Sequence, residues 1–176
     1  MLRSMKNKFV VIICGDPKST FNEILIKSLK NKVTKKLKLP IIIICSKKLF
    51  ENELKKSRTK IKLQNFENQN SLIINNIYIL DVPLDYKNLS LVKKNAYIKR
   101  SFEVGLNLLK KENSLALING PISKKSFLKG KYNGMTEFLA FKTKSINEVM
   151  LIFNKELSVC PITTHVPINN VSQKIK

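Results

Sequence analysis

Short runs of consecutive apolar residues, rich in isoleucine and valine, recur along the chain and predict strands that are buried on both faces. The clearest runs are residues 9–14, 41–45 and 115–118. Strands with two buried faces occur where helices cover both sides of a parallel sheet. The pattern therefore indicates an α/β fold.

The first two runs are joined by a segment with helical periodicity. Apolar side chains return every four positions from Phe21 to Val33, and lysines occupy many of the positions between them. This spacing predicts an amphipathic helix over residues 21–37, ended by Pro40. Strand, helix and strand in this order indicate a right-handed βαβ unit in a parallel sheet.

Weaker patterns complete the predicted order of elements and agree with an α/β/α arrangement around a parallel or mixed sheet. The further predicted helices cover residues 47–56, 91–111, 123–128 and 136–144, and the short strands cover residues 61–63, 71–74, 77–82, 149–153 and 157–163.

The chain is strongly basic: 33 Lys and Arg against 12 Asp and Glu give a formal net charge of +21 over 176 residues. Only Arg3, Arg58 and Arg100 are arginines, and the lysines are scattered over the whole chain. Nucleic-acid readers favour arginine for bidentate and stacked contacts, so the pattern disfavours a dedicated nucleic-acid role. A protein that binds RNA or another polyanion stays open as an alternative function, and the charge is compatible with phosphorylated small molecules.

The cysteines and the hydropathy of the chain indicate the cellular compartment in which the protein is expected. Cys14, Cys45 and Cys160 are odd in number, far apart and close to apolar runs, so buried free thiols are expected. Free thiols fit the reducing cytoplasm. No segment reaches the ~20 apolar residues of a membrane span. We therefore expect a soluble, cytoplasmic protein.

Four polar motifs follow predicted strands or open a predicted helix, where ligands bind in open α/β sheets. Gly15-Asp16-Pro17 and Gly120-Pro121 are both explained as tight turns. The second could instead be a phosphate-binding site at a helix N-terminus beside Lys124 or Lys125. Thr136 either caps a helix or donates its hydroxyl to a phosphate, and His165, the only histidine, is either structural or a metal ligand. The motifs are Gly15-Asp16-Pro17, Gly120-Pro121-Ile122-Ser123-Lys124, Gly134-Met135-Thr136-Glu137-Phe138-Leu139-Ala140 and Thr163-Thr164-His165-Val166-Pro167.

The order of these motifs resembles that of the 4-hydroxythreonine-4-phosphate dehydrogenases of pyridoxal phosphate biosynthesis. Those enzymes carry a Gly-Pro-x-x-Lys turn, a Gly-His-Thr-Glu-Phe segment, a Met-containing strand, and Thr-Thr-His before Leu-Pro or Val-Pro. The corresponding stretches here are NGPISKK, NGMTEFLAFKT, EVMLIF and TTHVP. The opening Gly15-Asp16-Pro17, followed by Glu23-Ile24, is similar to the family's Gly-Asp-Pro-Ala-Gly-Ile-Gly-Pro-Glu-Ile. The resemblance runs over essentially the whole chain and is densest over residues 115–171.

The resemblance implies a metal-dependent enzyme that uses NAD or NADP to oxidise the hydroxyl of 4-phosphohydroxy-threonine, after which the β-keto acid loses carbon dioxide. It implies that His165 is one of three histidine ligands to a divalent metal (Zn, Mg or Co) and that Thr136 binds the substrate next to its phosphate. The implied fold is the two-domain α/β/α arrangement of the isocitrate and isopropylmalate dehydrogenases, in a homodimer with shared sites.

Three departures from the family pattern modify this expectation. Met135 stands where the family has a substrate-binding histidine, and a thioether donates no hydrogen bond. Lys18-Ser19-Thr20-Phe21 replaces the glycine-containing Ala-Gly-Ile-Gly. Family members are also considerably longer, so residues 1–176 are expected to be the N-terminal part of a two-domain dehydrogenase, incomplete at the C-terminus and inactive alone.

In this view the other two metal histidines and the cofactor-binding segments lie in a C-terminal half that is absent here and that a downstream polypeptide could supply. The unfinished helical pattern that begins at residue 168 agrees with an interrupted chain. A non-functional remnant that folds poorly is the remaining alternative.

Overall fold

The computed structural model describes residues 8–31, 36–67, 72–110, 114–146 and 148–175. The chain divides into two compact units, unit 1 (Met1–Ser123) and unit 2 (Lys124–Lys176). The described part of the chain contains no helix with the length and hydropathy that a bilayer crossing requires.

Unit 1 is built on a five-stranded sheet whose neighbouring strands are all parallel. The strands are β1 (Phe9–Ile13), β2 (Ile41–Cys45), β3 (Leu63–Asn65), β4 (Ile77–Asp81) and β5 (Ser114–Asn119). Their order is β3-β4-β2-β1-β5, so the first strand lies between the second and the fifth. All five residues of β2 are buried, as its unbroken apolar sequence predicted.

Two helices cover one face of this sheet. They are α1 (Phe21–Lys30) and α2 (Lys47–Lys56), and their apolar stripes pack on side chains of β1, β2 and β4. Leu25 and Phe50 belong to this core together with Ile12 and Ile43 of the strands. The amphipathic spacing of the sequence thus predicted the buried stripe of each helix.

A third helix, α3 (Leu91–Leu109), covers the opposite face. Successive strand residues point to opposite faces, so Ile13 faces away from the core that holds Ile12. Gly105 of α3 lies so close to the strand that a Cβ there would be 2.6 Å from Ile13 Cδ1. The Ser90 hydroxyl caps this helix by accepting a hydrogen bond from the Lys93 N–H.

Unit 2 is smaller and carries short helices. They are α4 (Lys124–Leu128), α5 (Met135–Thr143), a 3₁₀ turn (Ile168–Asn170) and α6 (Val171–Lys174). Phe138 of α5 makes edge-to-face contacts with Phe127 and Tyr132, with ring centroids 5.5 Å apart in both pairs. These aromatic contacts position the start of α5 against α4 and the loop between them.

The fold class is confirmed: the protein is α/β, with a parallel sheet between helices. Some predicted elements are wrong in extent. Residues 72–74 lie in a loop instead of a strand, and residue 71 lies outside the described residues. The predicted strand at residues 61–63 instead covers Leu63–Asn65. The helix predicted over residues 21–37 ends at Lys30, and residues 32–35 lie outside the described residues.

The two strands predicted over residues 149–153 and 157–163 are also wrong. They reduce to one antiparallel pair, Ile152 with Val159, joined by two 2.9 Å backbone hydrogen bonds. An isolated two-stranded ribbon is marginally stable, because it needs further strands or a packed face to persist.

Candidate functional site

The turns after β1 and β5 meet at the carboxyl edge of the sheet, as the sequence predicted. β1 and β5 are neighbours, and the Asp16 N–H donates a 2.9 Å hydrogen bond to the Pro121 carbonyl. Gly15 has a φ of +74°, and a Cβ on it would lie 2.5 Å from the Pro121 oxygen. A Cβ on Gly120 would collide with the Cys14 carbonyl oxygen. Both turns therefore need glycine for the close approach of the two backbones.

Asp16 ties this edge to α3. One of its carboxylate oxygens accepts a 2.8 Å hydrogen bond from Lys94 Nζ, and the other accepts one from the Lys18 N–H at 2.9 Å. The side chains of Asp16 and Lys94 are only 14% and 16% exposed, so water screens this ion pair less than a surface pair. Local sequence patterns did not reveal Lys94, because its partner lies 78 residues away.

Protein groups already occupy the start of α2. The Asp81 carboxylate accepts a 2.8 Å hydrogen bond from the Lys47 N–H, and the Tyr97 hydroxyl accepts one from the buried Ser46 N–H at 3.0 Å. Burial raises the pKa of Tyr97 above its ordinary value, so this hydroxyl stays protonated. These contacts satisfy backbone donors that a helix N-terminus otherwise offers to a ligand.

Two of the three cysteines are buried free thiols, as predicted. Cys14 and Cys45 lie at the ends of β1 and β2, and the hydrogen bond with Cys14, together with burial, raises the pKa of Cys45. Both features disfavour the reactive thiolate. Cys160 is exposed, contrary to the prediction, because the strand expected to bury it does not form.

The second candidate site lies in unit 2, at the N-terminus of α5. Gly134 precedes the helix in an extended conformation, and no side chain caps the helix through a hydrogen bond. Thr136 is half-buried in the first turn, and its hydroxyl has no hydrogen-bond partner among the described residues. The first-turn N–H groups and this hydroxyl together suit an anionic group such as a phosphate. Met135 stands beside them and adds no donor.

Glu137 and His165 face the same space in front of Gly134. A Cβ on Gly134 would lie 2.8 Å from Glu137 Oε2 and 3.6 Å from His165 Nε2. Glu137 Oε2 is buried and has no hydrogen-bond partner in the described part of the chain. The structure thus brings a carboxylate and the single imidazole to one small space that glycine leaves open. The sequence predicted His165 but not Glu137, whose position in the first turn of a helix has a plain electrostatic explanation.

His165 itself is exposed and has a φ of +57°, a left-handed conformation that histidine adopts more readily than most residues. The sequence predicted that His165 would follow a strand over residues 157–163. That strand does not form, so His165 lies in a loop instead. Within the described residues, no group of three or more His, Cys, Asp and Glu side chains could hold a metal. The donor set at Gly134 therefore matches part of a divalent-metal coordination sphere and not all of it.

The parallel sheet with helices on both faces and the glycine turns at its carboxyl edge define the class as an α/β protein. The sequence profile of the family described as "Pyridoxal phosphate biosynthetic protein PdxA" matches residues 36–176. The chain belongs to this family, which confirms the resemblance seen in the sequence.

Individual relatives agree with this membership. The chain is 29% identical over 171 residues to the 4-hydroxythreonine-4-phosphate dehydrogenase of a Sulfurihydrogenibium species, covering 94% of this chain and 52% of the relative. It is 26% identical over 178 residues to the enzyme of the same name from Aquifex aeolicus, covering 97% of this chain and 53% of that protein. The chain thus spans about half the length of the curated relatives it matches.

Solved structures show the same fold. A 4-hydroxythreonine-4-phosphate dehydrogenase from Klebsiella pneumoniae superposes with a TM-score of 0.76 at 23% identity, covering 94% of this chain and 54% of that one. The corresponding structure from Burkholderia phymatum gives 0.77 at 23% identity, covering 97% and 54%.

Proposed function

We propose that the chain forms the first half of a 4-hydroxythreonine-4-phosphate dehydrogenase. In this reaction NAD or NADP takes a hydride from the hydroxyl-bearing carbon of 4-phosphohydroxy-threonine, the hydroxyl proton is lost, and the resulting β-keto acid releases carbon dioxide. Family membership over residues 36–176 supports the activity. The main support for the proposed site is that Thr136, Glu137 and His165 come together at the start of α5.

Thr136 and the first turn of α5 bind the phosphate end of the substrate in this proposal. The threonine hydroxyl and the free N–H groups donate hydrogen bonds to phosphate oxygens, and the positive end of the helix dipole favours the charge. Met135 contributes apolar contact only. We expect weaker substrate binding than in relatives that carry histidine at this position.

His165 would be one ligand of the divalent metal, and Glu137 would orient its imidazole from the side of Gly134. A divalent metal, when bound, polarises the oxygen at the reacting carbon. Carboxylates beside histidine ligands commonly set the orientation and the protonated nitrogen of the ring. The buried, unpartnered Oε2 of Glu137 supports this role, since it gains a partner there.

The remaining metal ligands and the cofactor site come from segments equivalent to the second half of the relatives, on the same polypeptide or on a separate one. Residues 1–176 then form the N-terminal part of a two-domain dehydrogenase, assembled as a homodimer in the cytoplasm. The span of the relatives, of which the chain covers 52% and 53%, supports this division.

The test is a chimera in which this chain replaces the matching first half of the Sulfurihydrogenibium enzyme. With 4-phosphohydroxy-threonine, a divalent metal and NAD or NADP, we expect the chimera to form reduced cofactor and the 176-residue chain alone to form none. His165→Ala should abolish turnover, and Thr136→Ala should lower kcat/KM about ten- to a hundredfold through loss of a hydrogen bond to a charged group.

Two variants sharpen this experiment. Thr143→Ala, at the other end of α5, is the matched control, because its hydroxyl bonds only carbonyls of its own helix. Met135→His should lower KM by restoring a donor. A folded chimera whose turnover is unchanged by His165→Ala would contradict the proposal, as would turnover by the isolated chain that does not depend on His165.

A further inference from the structure

Unit 1 contains a cleft of about 710 Å³ that the proposed dehydrogenase site does not use. Its walls are the loop after β1, the start of α1, one side of α2 and the segment after β4. All the lining residues belong to unit 1, and the segments that follow β1, β2 and β4 lie at the carboxyl edge of the sheet. The volume falls in the range of small-molecule sites.

The cleft carries more positive charge than its own acids neutralise. Each of its three carboxylates already has a lysine within ion-pair distance, at 2.6 to 3.8 Å. A concave wall of unpaired cations focuses positive potential, so the cleft favours an anionic ligand. The lining lysines without an acidic partner among the described residues are Lys18, Lys48, Lys55 and Lys87.

α1 begins in this cleft without a side-chain hydrogen bond from its N-cap residue, Thr20. The Phe21 N–H has only a long, 3.4 Å contact to Ser19 Oγ. Backbone donors of the first turn are therefore open to a ligand, and the helix dipole adds to the positive charge of the lysines.

Asn22 gives a second and independent sign of a ligand. It is 7% exposed, lines the cleft, and its side-chain oxygen has no hydrogen-bond partner in the described part of the chain. A buried amide oxygen without a partner reduces stability unless a ligand supplies the missing hydrogen bond. Because this oxygen is an acceptor, the ligand must carry a donor such as a hydroxyl as well as its negative charge.

We propose that the cleft binds a small phosphate ester that also carries hydroxyl groups, a sugar phosphate being the simplest case. The phosphate lies at the N-terminus of α1, within reach of Lys18 and Lys48, and a hydroxyl of the ligand meets the amide of Asn22. Lys18 and Thr20 belong to the segment that departs from the glycine-containing pattern of the dehydrogenases. The proposal does not rest on the proposed dehydrogenase function.

The test is calorimetric titration of the full chain with ribose 5-phosphate, inorganic phosphate and ribose as separate probes. We expect ribose 5-phosphate to bind about tenfold or more tightly than either of the others, since only it meets both parts of the site. Lys18→Gln should weaken its binding about tenfold through loss of one charge-assisted hydrogen bond.

Lys30→Gln is the matched control, because Lys30 lies on the same helix at the opposite end and outside the cleft lining. The affinity of the Lys30→Gln variant for ribose 5-phosphate should stay within about twofold of that of the unchanged chain, since a distant exposed charge is largely screened. Melting curves of both variants serve to check that they are folded. Equal losses in Lys18→Gln and Lys30→Gln, absence of ribose 5-phosphate binding, or equal affinity for inorganic phosphate would each overturn the proposal.

Discussion

Gly134 leaves open a space that two chemically different groups share. Glu137 Oε2 and His165 Nε2 lie around the point that a Cβ on this residue would occupy, at 2.8 and 3.6 Å. The carboxylate oxygen has no partner among the described residues, although it is buried. In the proposed site, the N–H of a metal-bound His165 imidazole would supply the hydrogen bond that this oxygen lacks.

At this scale we predict that Glu137→Gln weakens binding of Zn²⁺ at His165 about tenfold, because loss of a partner behind a histidine ligand typically costs ten- to a hundredfold. His165 is the only histidine, so its ring signals in a long-range proton–nitrogen NMR spectrum are unambiguous. The titration follows these signals in the full chain and also reports which ring nitrogen carries the proton before metal is added.

Glu148→Gln, at an exposed position, serves as the matched control and should leave the Zn²⁺ affinity unchanged. An unaltered dissociation constant and an unaltered protonated nitrogen in Glu137→Gln would show that Glu137 does not orient the histidine. This result would leave the proposed dehydrogenase reaction itself untouched.

At the scale of elements, the edge shared by β1 and β5 depends on backbones that come too close for any side chain. Gly15 and Gly130 both have positive φ, at +74° and +72°. A Cβ on Gly15 would lie 2.5 Å from the Pro121 oxygen, whereas a Cβ on Gly130 would meet nothing within 4 Å. The two glycines therefore separate the cost of a left-handed backbone from the cost of a collision.

We predict that Gly15→Ala destabilises the chain by about 1–3 kcal/mol more than Gly130→Ala, the additional loss being that of overpacking against a backbone atom that cannot move away. Urea unfolding followed by circular dichroism measures both variants. Equal losses in the free energy of unfolding for the two variants would mean that the turn after β5 shifts without cost and that the two turns are not interlocked.

The same edge shows how far sequence patterns reach. Unbroken apolar runs predicted the strands β1, β2 and β5, because a strand covered on both faces needs no polar alternation. The expected burial on both faces holds for β1 and β2 but is wrong for β5, an edge strand in which Leu115 and Ile118 are each 49% exposed. The apolar runs also predicted that Gly15 and Gly120 would lie at one edge, since parallel strands end on the same side. The patterns failed at residues 149–163, where apolar residues are as frequent but, within the described part of the chain, pairing is limited to Ile152 with Val159.

The candidate site was predicted in its parts but not in its arrangement. Thr136 and His165 stood out through the motifs that contain them. Glu137 and Lys94 did not, because the atoms that give them a role come from distant positions in the chain: His165 for Glu137 and Asp16 for Lys94. A periodicity describes neighbours along one element and carries no information on such long-range contacts.

At the scale of the whole molecule, the two units differ in how well they bury their apolar side chains. Unit 1 holds a contiguous core between its sheet and helices. In unit 2, large apolar residues from 146 to 175 are mostly exposed, including Phe153 at 73% and Ile162 at 81%. Exposed apolar surface of this extent marks a region that binds another polypeptide or self-associates.

We predict that the isolated chain binds an apolar fluorescent dye. Replacing both Phe153 and Ile162 with serine should lower the dye signal without lowering the melting temperature, because these side chains are already exposed in the folded chain and give up little buried area on unfolding. Phe102→Ser is the contrasting control, since Phe102 is 1% exposed, and truncating a buried phenylalanine costs about 3–5 kcal/mol. A fall in melting temperature for the double variant comparable to that of Phe102→Ser would show that these residues are packed in solution.

The sheet order has a consequence for the timing of folding. β1 is synthesised first, yet one of its two neighbours, β5, is synthesised last of the five strands. Until β5 is made, β2 is the one neighbour available to β1 in this sheet, and the other edge of β1 has no partner. Pairings between strands so far apart in the chain form slowly, because a long loop must close before any contact offsets its entropy. The stretch ending at Asn119 is therefore the point in translation after which unit 1 can complete its sheet, and nascent chains shorter than this expose a template for misassociation.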